Sequence, residues 1–207
     1  MMYRPPAFDW TDTHAMLALV RENAFGTFVT ATPSGLAISH LPMKIDADEE
    51  GSLVLTAHFS KGNNHLEALD SGHPSTAIFH GPHAYLSPNW YETEASVPTW
   101  NYAAVRAHGN PVAITNPNRT KDILDSLVSM FENDATGNWS TDRLDEKFMQ
   151  GQMKGIVAFE MPVTHLEGKA KMSQNRKPED IAGAISGLRS SGRTLDTETA
   201  AMMDKFR

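Results

Sequence analysis

The chain has 207 residues, 40% hydrophobic and 21% charged, with no cysteine. That composition suits an ordinary folded protein with one sizeable core, and it excludes disulfides, thiolate metal sites, iron–sulfur clusters and cysteine nucleophiles. Eighteen Lys and Arg against 25 Asp and Glu leave a net charge of −7, the wrong sign for gripping DNA by phosphate neutralisation. No apolar run approaches the roughly 20 residues of a membrane-spanning helix, and Asp9, Asp12 and His14 interrupt the opening stretch at once. The expectation is a cytoplasmic protein with neither signal peptide nor membrane segment.

In chain order, Asp9-Trp10-Thr11-Asp12 ahead of Met16, Leu17, Leu19 and Val20 predicts a capped amphipathic helix ending near Asn23, suited to covering one barrel end. Three β-rich segments follow, Gly26 to Thr32, Leu36 to Ile45 and Leu53 to Phe59, parted by Pro33-Ser34-Gly35 and by the acidic run Asp46 to Gly51. Lys61 to Asp70, with Leu66 and Leu69 on its apolar side, predicts a short helix, and Ser75 to His80 another strand. Gly81 to Pro98, rich in proline and aromatics, predicts a long structured loop. Tyr102 to Thr115 resumes a strand pattern. Asn116-Pro117-Asn118 opens a helix with Ile123, Leu124, Leu127, Val128 and Phe131 on one face, closed by Asp134 to Ser140. A last strand, Gly155 to Leu166, and two short helices, Pro178 to Leu188 and Thr197 to Phe206, finish the chain. The implied class is mainly β with peripheral helices, a small β-barrel whose closure removes exposed strand edges. Without repeats or a linker, residues 1–207 are expected to form a single domain with an N-terminal helix and a C-terminal helical appendage.

Three stretches could carry chemistry. Thr56-Ala57-His58-Phe59-Ser60-Lys61-Gly62-Asn63-Asn64 gathers hydroxyl, imidazole, ammonium and amide groups where a strand gives way to a helix; taken alone the stretch reads first as a solvated turn with a capping serine, and otherwise as a place suited to a phosphate. Lys169 to Arg176 sets Lys169, Lys171 and Arg176 around Ser173 and Gln174, either a solvated charged face or half of an anion site. Val97-Pro98-Thr99-Trp100-Asn101-Tyr102 presents aromatics beside amides, either bordering a planar ring or packing a barrel end. The nine histidines lack metal-ligand spacing, so no metal is expected. Hydrolase, phosphate-loop and dinucleotide fingerprints are absent.

Four ordered blocks go further: Met2-Tyr3-Arg4-Pro5-Pro6-Ala7-Phe8; Ser39-His40-Leu41-Pro42 with His58 to Asn63; Gly81 to Tyr91 joined to Val97 through Tyr102; and Lys171-Met172-Ser173-Gln174-Asn175-Arg176. Together they resemble, from end to end, the PaiB family of FMN-binding negative transcriptional regulators. The resemblance implies a split β-barrel of the pyridoxamine-phosphate-oxidase type, a homodimer with FMN at the subunit interface. It implies that His40, Leu41 and Pro42 run along the isoalloxazine edge, and that Thr56, His58, Lys61 and Asn63 take the ribityl chain and phosphate. Lys171, Ser173, Gln174 and Arg176 form the other half, with Trp100 and Asn101 bordering the ring. Relatives carry Ala-Arg and Asn-Pro where this chain has Ser60-Lys61 and Asn63-Asn64, and Leu where it has Met172. A lysine keeps the charge but lacks the bidentate fork of arginine. Charge argues against direct DNA binding, so regulation through the flavin is the first functional expectation. An FMN-dependent oxidoreductase acting on a small substrate, or a haem-related protein, is the alternative. His58, His83 and Tyr102 are the candidates for proton transfer, with none singled out.

Overall fold

A computed structural model describes residues 2–69 and 72–207. Contacts gather the chain into two compact units, one of Met1–Leu19, His80–Val105 and Glu167–Arg207, the other of Val20–Phe79 and Arg106–Leu166. Among the described residues, nine mostly antiparallel strands are accompanied by six α-helices, so the class is mainly β with peripheral helices, as expected.

In the second unit, β2 (Phe25–Thr32), β3 (Gly35–Pro42), β4 (Lys44–Ala47), β5 (Leu53–Ser60), the start of β6 (Ser75–Leu86), β8 (Val112–Ala113) and most of β9 (Ile156–Lys171) pair edge to edge. Alternation decides what each strand buries. Leu55, Ala57 and Phe59 of β5 point inward, and the register sets Ala57 opposite Phe159. Phe59 stacks on Phe159 at 4.9 Å, with Phe28 5.0 Å from Phe159. Each of these rings, fully buried, contributes about 1.5–3 kcal/mol. The opposite face carries Thr56 and His58, the latter paired with Ala158. Onto Ala158 the helix α3 (Pro117–Phe131) lays Ile123 and Leu127, one turn apart. Asn116 starts α3 by accepting from the backbone N–H of Asn118 at 2.9 Å, and Pro117 fits a first turn that needs no donor there.

Several expected boundaries move. The segment Leu36 to Ile45 is two strands broken at Met43, whose N–H donates to the Ala24 carbonyl (2.9 Å) while its side chain is fully buried. The helix expected over Lys61 to Asp70 shortens to α2 (Leu66–Leu69), and Asp70 lies outside the described residues. A helix α4 (Glu146–Met153), capped by Asp145 accepting from Phe148 N–H at 2.9 Å, was not anticipated.

In the first unit, Asp9–Trp10 is a short strand, β1, paired with Lys169 and Gly168, rather than helical. The true cap of α1 (Thr13–Glu22) is Asp12, which accepts from Ala15 N–H at 3.0 Å. Strand β6 continues to Leu86 through Gly81-Pro82, because its burial alternation slips by one residue between Gly81 and Ala84 and then resumes. Only the remainder of the expected loop is irregular, with a short 3-10 turn at Pro88–Trp90. Strand β7 (Thr99–Gly109) starts early enough to include Trp100 and Asn101, and β9 runs on to Lys171 rather than stopping at Leu166. Helix α5 (Pro178–Ser190) turns Gly183 and Gly187 towards Trp90, leaving no room for a Cβ at either glycine, and packs on α6 (Thr194–Lys205).

Candidate functional site

The expected site residues fall on both units, and each group has its own geometry. In the second unit, His40 lies exposed on β3, Nδ1 3.2 Å from Thr27 Oγ1 across the strand pair. Leu41 faces the core and Pro42 sits opposite Phe25. The face that carries His40 also presents Phe25, Leu36 and Ile38, the first 71% exposed, so a strip of sheet offers apolar side chains to solvent.

Thr56 and His58 share the outer face of β5. Burial holds the His58 imidazole below its ordinary pKa, and its buried Nδ1 has no hydrogen-bond partner among the described residues. His58 thus carries a buried ring nitrogen that the surrounding protein leaves unfilled, while the residue as a whole is half-buried. Lys61 follows the strand; its N–H donates to Gly155 O (2.9 Å) and its side chain is exposed.

Asn63 is occupied by the turn itself. Its Nδ2 donates to Ser39 Oγ (3.1 Å) and its Oδ1 accepts from His65 N–H (2.9 Å). His65, which sequence reasoning passed over, is 2% exposed and bridges two hydroxyls, Thr30 Oγ1 at 2.8 Å and Ser39 Oγ at 3.0 Å. Burial lowers its pKa as well. One tautomer of neutral imidazole, donating at one nitrogen and accepting at the other, satisfies both contacts.

In the first unit the six expected residues do come together. Asn101, fully buried on β7, donates from Nδ2 to Ser173 Oγ at 2.9 Å. Ser173 has φ +66°, a left-handed conformation uncommon outside glycine, so this bond helps hold a turn that a plain chain would avoid. Gln174 closes the turn, accepting from Met172 N–H (2.7 Å) and donating to Ala170 O (2.6 Å). Asn101, Ser173 and Gln174 are therefore spent on shaping the backbone.

The side chains left to face a ligand are Lys171, Arg176 and Trp100. Arg176 lies 4.0 Å over the Tyr91 ring, 3.6 Å from the Asp180 carboxylate and 3.1 Å from Ser96 Oγ. Lys169 sits between the rings of Tyr3 and Tyr102, 5.2 Å from each centroid. Lys171 donates to the Trp100 carbonyl (2.8 Å) and to Thr99 Oγ1. These are neutral acceptors, and it has no carboxylate partner among the described residues. Burial first, then the charges of Lys169 and Arg176, push its pKa down. The Trp100 ring is 52% exposed, with Tyr85 edge-on at 6.0 Å. A compressed set of cations beside an open aromatic plane is chemically matched to an anion that carries a flat ring, and phosphate and isoalloxazine fit that description. No group of metal-ligating side chains occurs among the described residues.

The sequence matches the family described as "Putative FMN-binding domain" over residues 2–165. It is similar to the protease synthase and sporulation protein PAI 2 of Bacillus subtilis, 30% identical over 203 residues that cover 98% of this chain and 97% of that one. An uncharacterised protein of Emericella nidulans is 30% identical over 84% of this chain and 85% of its own length. Among solved structures, the flavocytochrome Anf3 from Azotobacter vinelandii superposes with a TM-score of 0.62 at 13% identity, covering 87% of this chain and 78% of that one. The FAD and heme binding protein from Mycobacterium smegmatis gives 0.61 at 17% identity, over 84% and 78%. At these identities the likeness is one of fold, the split barrel.

Proposed function

The chain belongs to the FMN-binding PaiB family and is a flavin-binding protein whose cofactor is FMN; from that premise we propose that it is a homodimeric regulator that acts through its flavin. The observation that carries the flavin site is Lys171, an ammonium with two neutral acceptors, two cationic neighbours and no carboxylate partner among the described residues, beside the open face of Trp100. An arriving phosphate relieves the like-charge repulsion, and the indole borders the ring. Arg176 completes the anion-binding edge. Lys61 and the half-buried His58 imidazole contribute the polar contacts of the second group, and His40 to Pro42 the ring edge. The exposed strip of Phe25, Leu36 and Ile38 beside His40 supports pairing of two copies across that face.

Bound FMN supplies the electron chemistry; the protein supplies position, charge and exclusion of water. With a net charge of −7, regulation by phosphate neutralisation on DNA is disfavoured, and control through the oxidation state of the flavin is the reading that fits. The test is to purify the protein, record its visible spectrum and chromatograph what denaturation releases. FMN at one per chain is expected; a colourless protein that takes up no added FMN sinks the reading. The unfilled imidazole of His58 favours a second function, an FMN-dependent oxidoreductase, since it can hold or pass a proton. Catalytic oxidation of NADH or NADPH supports that function, whereas salt-sensitive retention of a promoter fragment supports direct regulation.

A further inference from the structure

The second unit contains a half-open cavity of about 840 Å³ lined largely by β8, α3, α4 and β9. We propose that this cavity is a binding site for a small anionic amphiphile, a compact aromatic or aliphatic body bearing one carboxylate, sulfonate or phosphate. Its volume lies within the range of about 300–1,000 Å³ typical of small-molecule sites. Part of its wall is apolar, with Ile114, Leu144, Met149 and Val157 among the lining side chains.

Two cations mark one end. Lys61 N–H donates to the carbonyl of Gly155, the residue next to Lys154, so both lysines start from the same corner and both line the cavity. Among the described residues neither ammonium has a hydrogen bond or ion pair. The acidic lining residues find partners along the same wall, away from that corner: Asp142 lies close enough to Lys121 to raise its pKa, after the larger effect of Asp125, and Glu146 accepts from Gln150 Nε2 at 3.0 Å, both Lys121 and Gln150 lining the cavity too. The cavity is thus polarised, with an oily body and an uncompensated positive corner. The flavin reading and this inference share only Lys61, so Lys154 is the cation left to the occupant when FMN is bound.

The probe is 8-anilinonaphthalene-1-sulfonate, read by its fluorescence against the FMN-loaded protein, with the uncharged N-phenyl-1-naphthylamine as control. One saturable site per chain is expected, binding the sulfonate at least 10-fold more tightly than the neutral amine. Lys154→Gln should raise its dissociation constant about 10-fold, and Leu144→Trp, which narrows the space with a bulkier ring, should weaken binding by a similar factor. Both variants should keep wild-type FMN affinity, which also shows that they are folded. Unaltered sulfonate binding in Lys154→Gln and Leu144→Trp overturns the proposal. So does competitive displacement of the sulfonate by FMN in the wild-type apo protein, because the cavity would then be the seat of the flavin. Failure of FMN binding alongside intact sulfonate binding would instead count against the flavin reading alone.

Discussion

A half-buried lysine set beside other cations is costly to the empty protein and useful when an anion arrives. Lys171→Met therefore has two opposed expected effects. The apo protein should melt no lower than wild type, because the repulsion from Lys169 and Arg176 is gone. FMN should bind roughly 10- to 100-fold more weakly, the equivalent of about 1.5–3 kcal/mol for a lost charge-assisted contact. Calorimetric titration with FMN measures the second, and an unchanged dissociation constant would place the phosphate away from Lys171. His58 and His65 predict a pH dependence. Burial holds both below the ordinary histidine value, so the unfolded chain binds more protons than the native one as pH falls through about 6.5. The stability they permit is complete above that pH and is lost below it, towards their depressed native values. Thermal melts of the apo protein from pH 7.5 to 5 should show a falling Tm, with a shallower fall in His65→Gln. Equal slopes would rule out His65 as a source. At this scale the sequence was legible where charge spoke for itself, as at Lys61, Lys171 and Arg176. It was illegible at His65, whose role comes from Thr30 and Ser39, 35 and 26 residues away in the chain.

Helix α5 meets the Pro88–Trp90 turn through two glycines one helical turn apart, and a Cβ at Gly187 would collide with the Trp90 indole. Gly187→Ala gains helix propensity of about 1 kcal/mol on an exposed helix. Here overpacking should outweigh it, with a net loss of about 1–3 kcal/mol in a denaturant titration. A variant more stable than wild type would mean that Trp90 can swing aside freely. The same pair explains why local pattern misjudged this region: proline and aromatics at Pro88 to Tyr91 signal a loop, whereas the fit of Trp90 onto a glycine-lined helix is a tertiary fact. Strands with clean alternation, Phe25–Thr32 and Leu53–Ser60, were recognisable within a residue or so of their ends. Strand β9 was cut short at Leu166 because Glu167, Lys169 and Lys171 look like solvated surface. Pairing of Lys169 and Gly168 with β1 keeps them in the sheet. Helix α4 escaped notice because its apolar positions are few.

For the whole molecule, the expected homodimer links flavin retention to protein concentration. If both copies contribute to each site, dilution through the dimer dissociation constant should release FMN, and variants that put a charge on the exposed strip, such as Ile38→Glu, should release it at higher protein concentration. Analytical ultracentrifugation with simultaneous absorbance at the flavin band follows both, and a yellow monomer would contradict the shared site. Family membership was legible from four short blocks in order, but the gathering of Trp100, Asn101, Lys171 and Ser173 was not, since it depends on contacts between residues 71 or 72 apart in the chain. The openness of Trp100 has an optical consequence. Trp10 packs edge-on to Phe206, Trp90 lies on α5 and Trp139 is half-buried, whereas the Trp100 indole is the most open to water of the four, so excitation at the red edge of the absorption band weights emission towards Trp100. The chain thereby carries its own fluorescent gauge of cofactor arrival, and Trp100→Phe should leave FMN titrations with a smaller change at the long-wavelength side of the spectrum.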